Sequence, residues 1–509
     1  MHPISFLLLK KLNPILYFGY MIEDSGATSI WNTEIHKCFT GGLFMSTVGF
    51  ERIIWPIVVF SIVALLEGCN FWGTNDLSVN ITSPSEDVTI LAGQSVDFQG
   101  TVTNGESPFT YQWDFDGGAA KSTLQNPGPT TFSTVGTFTV SFTVTDKDGE
   151  TATDSVIVTV QAGWSQISAG EAHTVALKSD GTLWAWGFNG DGELGDNSDT
   201  DKDTPEQVGS DTNWASLTAG GHHSLALKKD STLWAWGSND NGQLGDDTND
   251  NKNNPEKVNT DTNWTEVAAG ASHSLALKAD GTLWAWGYNG FGQLGDGTNT
   301  DELTPELVGT DTDWTDIAAG AFHSLALKAD NTLWAWGFND DGELGDGTNT
   351  DRTTPTQVGS ETNWAAVTAG NAHSLGLKTD GTLWAWGDNT FGQLGDGTNT
   401  DENEPVPVGS DTNWTAVAAG SNHTLALKKD GTLWAWGDNT FGQLGDGTFS
   451  GENTPKQIGS DTDWVAVAAG ATHSLAIKTD GTLWTWGNNA NGQLGDGTLV
   501  DKNTPLQIQ

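Results

Sequence analysis

Seven histidines recur at a constant interval of 50 residues: His173, His223, His273, His323, His373, His423 and His473. Imidazoles could ligate a metal or move protons, and both chemistries require rings that converge on one point. Each of these histidines is followed at the second and fourth positions by an aliphatic residue. A seven-fold arrangement would also hold them apart, so they are expected to be structural and bonded to backbone. Two GxGxxG matches, Gly190–Gly195 and Gly290–Gly295, have no helical period after them and therefore lack the βαβ setting of a dinucleotide site. There is no HExxH, GxSxG or P-loop, and the many carboxylates lie in polar turns where no glycosidase-like pair stands out. Asp199, Asp201 and Asp203 alternate as in oxygen-rich calcium loops, but without the glycine and distal glutamate of an EF-hand. A solvated acidic loop is expected there, with calcium as the alternative; no other cofactor and no catalytic residue are expected.

More informative are the positions at which the 50-residue units differ. After each "AG" the next two residues are Glu-Ala, Gly-His, Ala-Ser, Ala-Phe, Asn-Ala, Ser-Asn and Ala-Thr. Aromatic residues enter at Phe322 and, around "WG.N..", at Phe188, Tyr288, Phe291, Phe338, Phe391 and Phe441. Aromatics on loops suit interface anchors, so these seven are the candidate binding residues. The competing reading is that they merely cover strand ends.

The elements that must position them follow from the repeat. In each unit the residues from the histidine onward alternate with period two, and Asp-Gly marks a two-residue hairpin turn. Beyond the turn, Trp234 and Trp236 fall on one face, with Leu233, Ala235 and Gly237 on the other, so that rings and small residues can interlock between sheets. Strands around Trp214 and Pro205 to Val208 complete four per unit. Seven such units, over 162–509, predict a seven-bladed β-propeller. Since P..(V/I) follows every unit but does not precede Trp164, residues 503–509 are expected to close blade one.

Over 77–161 the composition shifts to Thr, Val, Ser and Gly. Phe138, Val140, Phe142 and Val144 share one strand face, and Val156, Val158 and Val160 another. An immunoglobulin-like β-sandwich without a disulfide is expected. Ahead of a linker at 70–76, residues 45–69 contain Arg52, an apolar run and Leu66-Glu67-Gly68-Cys69. That segment is short for a membrane span and suits a signal peptide. It resembles a bacterial lipobox, which implies lipidation of Cys69; residues 1–44 would be an upstream extension. Asp plus Glu number 65 against 21 Lys plus Arg, a net charge of −44, which argues against a basic nucleic-acid-binding patch.

"YQWDFDGG" with the strand pattern after it resembles the polycystic kidney disease (PKD) domain family, which implies an extracellular spacer or adhesion module. The recurring "AG..H..AL", "WG.N..GQLG" and "P..V" resemble the regulator of chromosome condensation repeats, which implies a seven-bladed propeller used to bind proteins. The expectation is an all-β, non-catalytic, monomeric recognition scaffold. Its setting would be the surface or exterior of a bacterium, with a lipid anchor in the outer membrane and a protein or cell-surface ligand as partner. A guanine-nucleotide exchange regulator, as in eukaryotic family members, is the alternative, and a polysaccharide-acting enzyme the third.

Overall fold

A computed structural model describes residues 76–508, so the signal segment, Cys69 and the upstream extension lie outside it. The first seven strands are β1 (Ser78–Ser83), β2 (Val88–Leu91), β3 (Ser95–Thr103), β4 (Thr110–Asp114), β5 (Gly128–Thr131), β6 (Gly136–Thr145) and β7 (Thr151–Gln161). They form a three-stranded sheet in the order β1-β3-β5 and a four-stranded sheet in the order β2-β7-β6-β4. The alternation read along β6 holds: Val140, Phe142 and Val144 are buried, and the Trp113 ring stacks on Phe142 at 4.5 Å between centroids. Phe98, Phe115 and Phe132 fill the remaining space, so large rings supply the cohesion that a disulfide gives other sandwiches.

Only Ala162 and Gly163 separate β7 from the first strand of the repeats. That first unit contains β8 (Trp164–Ala169), β9 (His173–Lys178), β10 (Leu183–Gly187) and β11 (Lys202–Gln207), paired in the order β11-β10-β9-β8. Six more four-stranded sheets of the same plan follow, one per 50-residue unit. The first strands of successive blades lie against one another all the way round, including the seventh against β8, which makes them the inner wall of a closed ring. Pro205 and its counterparts stand on each blade's outermost strand, an edge position where a missing N–H costs no ladder bond.

The interlocking expected of the tryptophans is present at every junction. Trp214 and Trp236 of blade two pack onto Val175, Leu177, Leu183, Ala185 and Leu194 of blade one, and Leu225, Leu233 and Ala235 pass the pattern on to Trp264 and Trp286. A third tryptophan, such as Trp234, closes the opposite end with Trp214. Between those two rings sits the Lys228 ammonium, 3.7 Å and 4.6 Å from the centroids and 2.6 Å from Asp211.

Three expectations are corrected. The hairpin after the histidine strand is a three-residue loop: Lys178 N–H donates to Thr182 O, and Gly181 takes the left-handed position at φ +83°. The histidines bond to side chains of the next blade instead of to backbone. Finally, residues 503–509 do not close blade one. The strand Lys502–Ile508 pairs with Leu483–Gly487 of its own blade, and blade one already has β11. The proline strand follows the three strands it completes, so every unit is a whole blade and none is missing a strand.

Closure is achieved by packing and by the "GQLGDGT" loop. Each such loop reaches over to the following blade, where Trp236 Nε1–H donates to Glu193 O at 2.7 Å. At the seam the last loop does the same to the first blade: Trp186 donates to Gln493 O at 2.9 Å and Gly497 N–H donates to Asp203 O at 2.8 Å. The buried cluster of Trp164, Trp186, Leu475, Leu483 and Ile508 joins the two blades as every other pair is joined.

Candidate functional site

In every blade the first-to-second turn and the third-to-fourth loop leave the sheet at the same end, because four antiparallel strands alternate direction. The residues that vary after "AG" and those around "WG.N.." therefore share one face of the ring. A hydrogen bond fixes them side by side: Phe188 N–H donates to Ala172 O, Tyr288 to Ser272 O, and Phe338 to Phe322 O, each at 2.9 Å. The loop itself is held by one buried asparagine. Asn289 Oδ1 accepts from Leu294 N–H, while its amide donates to Asp296 and Thr300, so the loop residues between are free to differ.

Four of the seven candidate aromatics come together at the junction of blades three and four. Phe291 lies 5.5 Å from Phe322 and 4.8 Å from Phe338 between centroids, and Tyr288 lies 6.1 Å from both Phe291 and Phe322. The contacts are edge-on, and all four rings are half-buried. Phe188 stands apart beside His222, Phe441 is half-buried in the blade-six loop, and Phe391 is 44% exposed. Sequence reasoning missed Phe449, Leu499 and Val500, which are exposed on the third-to-fourth loops of blades six and seven. Their signal was present, since other units mostly carry Asn, Ser, Thr or Asp at those places.

The histidines are fully buried links in a circular chain. His223 Nε2 lies 3.0 Å from Ser274 Oγ, and that hydroxyl donates to Gln243 O at 2.8 Å; the last link, His473 to Thr174, closes the circle at 3.0 Å. With the serine proton committed to the carbonyl, the imidazole N–H must be on Nε2. Burial pushes the pKa of His223 down to about 3, so the ring is held neutral.

Asp199, Asp201 and Asp203 are not gathered. The Asp201 carboxylate accepts from Asn189 N–H at 2.9 Å, as Asp301, Asp401 and Asp501 do in their own blades. Asp199 accepts from Asn253 at 3.1 Å, and Asp203 offers its backbone oxygen to Gly497. The alternation that resembled a calcium loop is thus a shared loop bond flanked by two unrelated acids.

Carboxylates of another kind escaped the sequence reading. Glu193 and Glu343 replace the glutamine of "GQLG" and are fully buried. Glu193 Oε1 faces His222 Nδ1 at 3.3 Å, and His222 Nε2 faces Glu171 at 3.0 Å. Hydrogen bonds to Glu171 and Glu193 raise the His222 pKa to about 10. Glu343 has Ala372 in place of that histidine, its Oε1 is without a partner, and burial raises its pKa to about 7. On the inner strands burial, followed by the charge of the neighbouring Asp316, pushes the Glu266 carboxyl above the usual carboxylate range.

Comparison with known proteins agrees with this geometry. The model for the RCC1-like domain matches residues 306–509, and two models for the regulator of chromosome condensation (RCC1) repeat match three units each between 164 and 327. The ring is an RCC1-repeat propeller. The PKD domain model matches residues 81–160, so the sandwich ahead of the ring is a PKD domain. No curated protein sequence matches the chain. Among solved structures, human WBSCR16 is 24% identical with a TM-score of 0.59, covering 64% of this chain and 94% of its own. Yeast RCC1 (Prp20), solved bound to Kap60, is 25% identical with a TM-score of 0.58, covering 64% and 83%. Prp20p of Saccharomyces cerevisiae, described with its binding to Gsp1p and histones, is 24% identical with a TM-score of 0.59, covering 68% and 87%. These likenesses show the fold.

Proposed function

We propose that this chain is a non-catalytic scaffold that binds a protein or cell-surface ligand through the loop face of its propeller, with the PKD domain as spacer. The observation that carries the reading is the cluster of Tyr288, Phe291, Phe322 and Phe338. The repeat requires no aromatic at the three positions these residues occupy, since other units also place Ser, Asp, Asn, Ala, His or Thr there. Four aromatic rings at positions that vary between units, Phe322 being unique at its own, meet at one junction and give a partly exposed aromatic surface of the kind that anchors interfaces. The yeast relative's binding to Kap60 supports a protein partner.

The setting belongs to the same proposal: an exported protein, anchored through a lipid on Cys69 to a bacterial outer membrane and acting as a monomer. The acidic balance and the lipobox-like segment support it. The exchange-regulator alternative draws on the yeast likeness and requires a cytoplasmic or nuclear location, so cell fractionation separates the two.

The binding test uses the full chain as bait beside Phe291→Asn/Phe322→Ala, both residues that other blades carry. A partner retained by the parent chain and lost by a variant of unchanged melting temperature is the expected result. Equal capture by both would remove the aromatic cluster from the interface.

A further inference from the structure

At the junction of blades one and two, on the loop face, three side chains from two blades aim metal-ligating atoms at one place. One ligand atom from each of Asp191, Glu193 and His222 lies within 4.8 Å of the other two. We propose that these three residues form a binding site for a divalent transition metal of the zinc class.

Several separate observations support this. The first is chemical: one imidazole nitrogen and two carboxylate oxygens are a donor set that zinc accepts, with the fourth position left for water. His222 is 40% exposed at its side chain while Glu193 is fully buried, so the site is anchored on one side and open on the other.

The second is the orientation of each ligand by a neighbour, which metal sites require. Nδ1 of His222 faces Glu193, and its Nε2 points to the Glu171 carboxylate at 3.0 Å, the carboxylate–histidine arrangement that fixes a ligating ring. Asp191 Oδ1 is held by the Asn251 amide at 3.0 Å, which leaves its second oxygen unassigned. Glu193 Oε2 accepts from Asp191 N–H at 2.9 Å, which leaves Oε1 directed at His222. Phe188 packs edge-on against the imidazole at 5.9 Å and shields one side.

The third lies in the sequence itself. Glu171 and His222 are each unique among the seven units at their positions, and Glu193 stands where five units have glutamine. The junction of blades four and five repeats the acidic half, with Asp341 and Glu343, but has Ala372 where histidine would be needed. The repeat thus contains its own comparison, a carboxylate pair without the imidazole. An ion pair between His222 and its two glutamates is the competing explanation, and it gives Asp191 no role.

The site is tested on metal-free full chain with Zn2+ as the probe, by calorimetry, and with Co2+, whose visible absorption reports coordination. One equivalent of Zn2+ should bind and raise the melting temperature. His222→Ser and Glu193→Gln, which restore residues found in other blades, should each weaken binding at least ~100-fold while leaving the unliganded chain folded. Glu171→Gln should weaken it by ~10- to 100-fold, the effect expected of an orienting partner. Absence of binding, binding unchanged by both ligand variants, or preference for Ca2+ over Zn2+ would each overturn the proposal. Should a ligand variant prove unstable, loss of the Co2+ band in Asp191→Asn decides, because the ion-pair explanation predicts no change there.

Discussion

Glu343 gives the most direct measurement of what the ring does to a charge. Its carboxyl is fully buried, Oε2 accepts from Asp341 N–H at 3.1 Å, and Oε1 has no partner. The unfolded chain should release this proton near 4.5 and the folded chain near 7. At about 1.4 kcal/mol per pH unit, that difference amounts to about 3 kcal/mol once the pH exceeds both values. The folded state binds the proton more tightly, so the associated stability is fully present below about pH 4.5 and is lost as the pH rises through about 7. Glu343→Gln, the residue of five other blades, removes the dependence. Its amide would have Phe338 where Asp388 receives the Gln393 amide, and an unpaired buried amide costs about 1 kcal/mol. The net gain is therefore about 2 kcal/mol at pH 8.5, or about 3 °C in melting temperature for a ring of this size. Parallel thermal melts of the two chains at pH 4.5 and 8.5 isolate Glu343, since every other titrating group is common to both. A difference of equal size at the two pH values would refute the reasoning.

Ser231 holds the left-handed hairpin position at φ +59°, where five blades use glycine, so Ser231→Gly should stabilise the chain by about 1 kcal/mol in urea unfolding. Asn331, at φ +62°, should gain less from the same change, because asparagine tolerates this conformation better than serine. Gly270→Ala should destabilise by about 3 kcal/mol in the same assay, because a methyl group there would overlap the Gly320 carbonyl and the His273 ring.

The repeat made most of the architecture legible. A constant interval with period-two alternation specifies strands, and tryptophans opposite small residues specify how one sheet meets the next. The seam was misread for a topological reason: the proline strand begins 15 residues beyond Gly187, and sequence order alone does not say whether it completes the blade before it or begins the one after. Only the ladder between Trp184 and Gln207 decides that. Asp199, Asp201 and Asp203 show the same limit from the other side. Alternation in a strand places carboxylates on one face, whereas in a loop each one follows its own backbone, so their spacing had no common target.

The functional face required two things that a linear reading supplies only in part. Departures from the repeat are visible in the sequence, but whether two of them touch depends on the rotation from one blade to the next. Phe291 and Phe322 are 31 residues apart, as are Glu193 and Ser224, whose backbone and hydroxyl meet through the same junction. The loop of each blade therefore reads against the "AG" turn of the following one at a fixed offset, and Glu193 with His222 is the same relation shortened by two residues. Applied as a rule, that offset pairs Phe391 with Asn422 and Phe441 with Thr472, where no second ring is available. The aromatic surface is therefore confined to one junction, while the imidazole–carboxylate group occupies another. Two separate side-chain clusters on one face follow from the arithmetic of the repeat together with the sense in which its blades are stacked.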